Sequence, residues 1–311
     1  WKKAPFKTPP ISSVAIISTG SDDNSFAYVT QSFLSPETLH IGEAASGRMQ
    51  VVRATSPQFR ASELIVEQLE AEAPDGVKIP YYVVRPSKFE FDGTAPTLLC
   101  SYGGLQYLHG SQYYPLLGKL WLERGGVFVQ ASIRGGGEFG PAWHRVAQRE
   151  KRQVTFVDYA AVARDLVRRN ITSPRHIGIR GASNGGYQVG VQFTQRPEYW
   201  NAAIISVALL DMLRYPQMLA GASWMAEFGD PSDAIEGAFL RRVSPLHHLR
   251  AETSYPPPLL LTSTTDDRVH PAHSRKFAAR LEQLNKPFYY HESPTGGHGG
   301  SGDGGPCGLS E

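Results

Sequence analysis

Residues 177–190 read IGIRGASNGGYQVG, with Ser183 set between Gly181 and Gly185. A short apolar run meets a cluster of small residues, and a helix is expected to follow. A strand, a Gly-x-Ser-x-Gly turn and a helix together form a nucleophile elbow. Such a turn holds a serine hydroxyl above the sheet in a strained backbone. A side chain at position 181 or 185 would strike neighbouring backbone. The helix start behind the turn puts the Asn184 N–H where an oxyanion would form. The chemistry this arrangement suits is attack of a hydroxyl on a carbonyl carbon.

A serine hydroxyl needs a base to take its proton. The chain has ten histidines. On folds with this elbow an acid and then a histidine follow the serine, on loops at the C-terminal ends of late strands. The stretch TSTTDDRVHP offers Asp266 and Asp267, and TGGHGG offers His298, which glycines flank on both sides. His270 and His273 stand three apart but lack a third ligand at useful spacing, and no Cys-x-x-Cys occurs. No metal and no cofactor is therefore expected. His144, His247 and His248 are read as structural.

The elements that must carry these groups follow from residue alternation. The first sixty or so residues read as short β-strands separated by turns such as Ser35-Pro36 and Ser46-Gly47. ELIVEQLEAE and VKIPYYVVRP, joined by Pro74-Asp75-Gly76, read as a hairpin. From about residue 95, strands alternate with helices. Strands are expected at 96–102, 126–133, 176–181, 202–206, 257–264 and 287–293, with helices at 158–170, 184–195 and 271–284. Continuous apolar strands alternating with helices imply an α/β fold whose central sheet is mostly parallel and flanked by helices. The expected division is a β-rich segment over 1–60, a catalytic domain over 61–300 and a Gly-rich tail over 301–311.

With 41% hydrophobic and 19% charged residues, the composition is that of a soluble globular protein. A net charge of +2 gives no reason to expect nucleic acid or an anionic membrane as partner. No apolar run reaches the roughly 18 residues of a membrane span. A soluble protein is expected, cytoplasmic or periplasmic, with the compartment unreadable. Cys100 and Cys307, the two cysteines, are expected to be free thiols, one buried and one in the tail.

Several longer stretches resemble one family. SIRGGGEFGPAWH, NITSPRHIGIRGASNGG, QRPEYWNAAI, LLDMLRY, GASWMAEFGDP and TDDRVHPAHSRKFAARLEQ are together similar to the catalytic domain of the prolyl oligopeptidase family. The resemblance runs from about residue 60 to 300. It implies an α/β-hydrolase fold and cleavage of short peptides after proline through an acyl-enzyme. It implies Ser183 as nucleophile, Asp266 as the orienting acid and His298 as the general base. Tyr102, in SYGG, resembles the tyrosine whose hydroxyl forms the oxyanion hole with the Asn184 N–H. Arg268 resembles the arginine that binds a substrate carbonyl, and Trp224 the indole on which the proline ring stacks. Val269 and Leu209 would line the same pocket. Asp267, next to the acid, should point elsewhere.

The chain also departs from the family pattern. Leu105 stands where an aromatic residue is expected after Tyr-Gly-Gly, and Phe228 where a tyrosine is frequent. The family carries a seven-bladed β-propeller over its active site, and only the β-rich first sixty residues resemble a part of it. An ungated site would also admit small esters, so the alternative activity is that of a carboxylesterase. Apolar surface without its usual cover leads to the expectation of a homo-oligomer.

Overall fold

The computed structural model describes residues 8–299. The chain begins with a four-stranded antiparallel sheet in the order β1-β2-β3-β4, made of Ser12–Thr19, Ser25–Ser32, Thr38–Glu43 and Arg48–Ala54. It docks on the rest of the molecule through Phe33. That ring meets Tyr82 at 5.4 Å and Phe128 edge-on at 6.2 Å between centroids. The Ser13 hydroxyl adds a hydrogen bond to the Ser111 carbonyl.

The second sheet has eight strands. They are β5 (Leu64–Glu72), β6 (Lys78–Pro86), β7 (Thr97–Cys100), β8 (Val127–Ala131), β9 (Ile177–Ala182), β10 (Ala202–Ser206), β11 (Pro258–Ser263) and β12 (Tyr289–Ser293). Their order is β12-β11-β10-β9-β7-β8-β6-β5. β5 and β6 form the expected antiparallel hairpin, and β6 is antiparallel to β8; every other neighbouring pair is parallel. At the hairpin turn Gly76 takes φ 82°, where a side chain would be strained.

Sequence dictates the layering. β7 and β8 read TLLC and VFVQA, and every residue of both is buried. Such strands must be covered on both faces. The helices are α1 (Pro115–Leu120), α2 (Pro141–Arg145), α3 (Gln153–Arg168), α4 (Asn184–Gln195), α5 (Met225–Phe228), α6 (Ala234–Val243), α7 (Pro245–His248) and α8 (Ala272–Gln283), of which α1, α3, α4 and α8 pack on the sheet. Val162, Leu166, Val189, Phe193, Phe277 and Leu281 of α3, α4 and α8 join the sheet's Leu99, Val129, Ile179, Ile205 and Leu260 in one core.

The expected strands and the helices at 184–195 and 271–284 lie within two or three residues of the observed elements. α3 starts five residues earlier than expected. β-branched Val154, Thr155 and Val157 in its first five residues mask the helical period there. The one ten-residue helix not anticipated, α6, had a legible start: the Asp233 carboxylate accepts the Ile235 and Glu236 N–H groups at 2.8 and 2.9 Å. Cys100 corrects another expectation. It is buried at the end of β7 but disulfide-bonded rather than free. Bonding depends on the spatial approach of two Cα atoms, which sequence separation does not reveal. Cys307 and the whole Gly-rich tail, 301–311, lie outside the described residues.

Candidate active site

Parallel strands that end on one edge deliver their following loops to one place. Tyr102 follows β7, Ser183 follows β9, Leu209 follows β10, Asp266 follows β11 and His298 follows β12. All five therefore lie beyond the same, C-terminal edge of the sheet.

Ser183 adopts φ 58° and ψ −121° between β9 and α4. A non-glycine residue held there costs about 1–3 kcal/mol, which its surroundings must offset. The Ser183 N–H donates to the Ser206 carbonyl at 3.0 Å, and its own carbonyl accepts the Tyr187 N–H at 3.0 Å. The two glycines are required by close approach. A β carbon on Gly181 would lie 2.2 Å from the Gly185 carbonyl oxygen, and one on Gly185 would lie 2.9 Å from that of Ser101.

His298 Nδ1 meets Asp266 Oδ2 at 2.9 Å and Oδ1 at 3.0 Å. The Asp266 carboxylate is wholly enclosed. Its Oδ1 also accepts the Arg268 and Val269 N–H groups, each at 2.9 Å. An acid so held accepts a proton-bearing Nδ1 and leaves the lone pair of the imidazole on Nε2. Asp267 points elsewhere, as expected, and accepts the His298 backbone N–H at 3.3 Å. The two carboxylates thus divide the work, one on the ring and one on the loop that carries it.

The Tyr102 phenol lies close enough to Ser183 for that side chain to favour its ionised form. Burial pushes the phenol above its ordinary value, against the lowering effects of the Ser183 side chain and of the Arg268 charge. It therefore stays protonated, a hydrogen-bond donor, at neutral pH. Asn184, the first residue of α4, is buried, and its side-chain amide donates to the Tyr102 carbonyl at 2.6 Å.

Leu209, Phe228 and Val269 are nearly inaccessible and belong to one cluster with Phe156, Tyr187 and Tyr215. Trp224 packs against that cluster and is only partly buried. Phe228 meets Tyr187 and Tyr215 edge-on, both at 5.8 Å. Arg268 makes no ion pair among the described residues and is exposed. Its carbonyl accepts the Ala220 N–H at 3.3 Å, which ties its loop to the turn before Trp224.

Two residues at the site escaped the sequence reading. Arg152 and Glu227 are both buried and joined at 2.8 Å. Glu227 also accepts the Leu105 N–H at 2.8 Å and meets His144 Nε2 at 2.6 Å. Burial works to raise the Glu227 carboxyl, but the Arg152 charge and these bonds hold it below its ordinary value. One sign was present in Tyr-Gly-Gly. A β carbon on Gly104 would lie 2.5 Å from Arg152 Nη2 and 2.6 Å from Asn184 Nδ2. His144, read as structural, is held in this network. His270 and His273 each accept backbone N–H groups, and the described residues contain no cluster suited to a metal.

The chain is similar to known proteins over most of its length. Residues 116–305 match the model of the prolyl oligopeptidase family. An uncharacterized peptidase of Sinorhizobium fredii is 45% identical over 298 residues, covering 96% of this chain and 41% of the relative. A prolyl endopeptidase of Elizabethkingia miricola is 34% identical over 276 residues, covering 88% of this chain and 39% of the relative. Among solved structures, a post-proline cleaving enzyme from Rickettsia typhi superposes with a TM-score of 0.89 at 38% identity, covering 96% of this chain and 44% of that one. The chain thus spans about two-fifths of the length of these relatives. No helix among the described residues is long and apolar enough to cross a membrane. The serine turn and its surroundings lie within the matched residues, and the chain belongs to the prolyl oligopeptidase family of serine peptidases.

Proposed function

We propose that this chain cleaves peptides on the carboxyl side of proline through an acyl-enzyme on Ser183. The observation that carries the reading is the strained Ser183 turn sharing a sheet edge with an imidazole held by a buried carboxylate. In this reading His298 Nε2 takes the Ser183 proton as Oγ attacks the carbonyl carbon. The Asp266 carboxylate stabilises the imidazolium that results. The Tyr102 hydroxyl and the Asn184 N–H donate to the oxyanion. As the C–N bond breaks, His298 returns the proton to the leaving amine. Water then enters, gives its proton to His298 and releases the acid. Trp224 offers a flat apolar face to the pyrrolidine ring, Leu209, Val269 and Phe228 line the same pocket, and Arg268, with no ion pair among the described residues, receives a substrate carbonyl.

The test is hydrolysis of a blocked Gly-Pro arylamide beside p-nitrophenyl butyrate, with Ser183→Ala as control. Arylamide turnover that falls about 10⁶-fold in the variant is expected. Ester turnover without arylamide turnover would replace this reading with that of a carboxylesterase using the same residues.

A further inference from the structure

We propose that Arg152 is a positioning residue that clamps the two halves of the oxyanion hole to each other and to the wall of the proline pocket. The inference rests on the reading of Tyr102 and Asn184 as oxyanion donors. Those donors come from loops 82 residues apart, after β7 and β9. Arg152 precedes α3 and belongs to neither loop, yet its guanidinium reaches both. Nη2 donates to the Gly103 carbonyl at 3.2 Å and to the Asn184 side-chain oxygen. Asn184 in turn donates to the Tyr102 carbonyl. Nη1 donates to Glu227, whose same oxygen accepts the Leu105 N–H. The carbonyls of 102 and 103 and the N–H of 105 are thus all held, directly or through one intermediary, by one cation.

The loop needs such restraint. Gly103, Leu105 and Gln106 have φ of 60°, 57° and 53°, the left-handed region that leucine and glutamine avoid. Freed from its anchors, the stretch would relax and carry the Tyr102 hydroxyl with it. The face of the same guanidinium lies 4.6 Å from the Phe228 ring and 5.7 Å from that of Tyr187, in the cluster that backs Trp224. That cluster, packed by its own rings, is the fixed wall against which the clamp is braced.

Packing alone does not call for this arrangement. Arg152 is 2% exposed, and a buried ion pair is often replaced by apolar residues without loss of stability. A role in geometry separates from a role in stability when ground-state and transition-state ligands are compared. Arg152→Met, Arg152→Lys and Glu227→Gln would be assayed on the arylamide. Their affinities for a blocked proline aldehyde, which forms a hemiacetal oxyanion on the serine, and for the corresponding acid would be measured alongside thermal melts.

In Arg152→Met, kcat and aldehyde affinity are expected to fall together by about 10²-fold. KM and affinity for the acid should stay within about threefold. Lysine should recover at least about tenfold of the loss, because an ammonium reaches part of the same acceptor set. A folded Arg152→Met that binds the aldehyde as the wild type does overturns the inference, and so does one that loses acid and aldehyde affinity equally. If Arg152→Met does not fold, Glu227→Gln decides: a selective loss of aldehyde affinity supports the clamp, and equal loss or none overturns it. A wild-type chain that binds the aldehyde no tighter than the acid overturns the underlying reading of the oxyanion hole.

Discussion

Asp266 holds its neighbours through both faces of one carboxylate, and this makes its substitution informative. Oδ1 accepts the Arg268 and Val269 N–H groups while both oxygens reach His298 Nδ1. In Asp266→Asn the amide oxygen is expected to stay on the two backbone donors. Its NH₂ group then faces Nδ1, which must present a lone pair. The imidazole proton moves to Nε2, the atom proposed to receive the Ser183 proton. A drop in kcat of about 10⁴-fold with the thermal midpoint little changed is expected. A loss under tenfold in steady-state assays would remove Asp266 from the mechanism. Sequence alone offered both Asp266 and Asp267, and family resemblance favoured the first. The structure gives the reason, since Asp267 is occupied with the His298 backbone.

At the scale of elements, α8 supports the site through a residue with no role in chemistry. His273 is buried, and its Nδ1 accepts the Leu210 and Asp211 N–H groups at 3.2 and 3.0 Å. It thereby sets the loop that carries Leu209. Burial pushes the imidazole down to about 3, so it is neutral in the folded chain. The unfolded chain takes up a proton near pH 6.5 that the folded one refuses. This contribution to stability is complete above pH 6.5 and is lost progressively as pH falls toward 3. His273→Ala should cost about 2–4 kcal/mol at pH 7, from two orphaned N–H groups and a cavity. It should also flatten the stability decline between pH 6 and 4. Urea unfolding at several pH values checks both effects. A pH slope unchanged by the substitution would show that other groups set the acid response. The sequence left His273 a surface or core role in preference to a metal pair, because spacing of three cannot tell a side chain aimed at backbone from one aimed outward.

At the scale of the molecule, the four-stranded sheet leaves Val14, Ile16, Ile17, Ile41, Val51 and Val52 more than two-fifths exposed. Apolar surface of that kind seldom stays bare. The 311-residue chain is expected to self-associate at micromolar concentration. Ile17→Lys with Val52→Lys should shift it toward monomer while leaving Ser183-dependent hydrolysis within about twofold. Sedimentation velocity across a concentration series reads this directly. A wild-type chain that stays monomeric throughout would show that this face needs no partner.

The amino-acid sequence by itself determined the local conformations. Alternation and apolar runs specified nearly every strand, and small residues around Ser183 specified the turn, because these signals depend on neighbours within a few positions. The chain order of Ser183, Asp266 and His298 was legible for the same reason, since each follows its own strand. Only the tertiary structure decided which carboxylate meets the imidazole, that Cys100 is bonded, and that Arg152 and Glu227 hold the loop after Tyr102. Those outcomes depend on approach across tens to hundreds of residues. A buried arginine and a solvated one are the same letter, and burial and pairing arise only when the sheet closes over them.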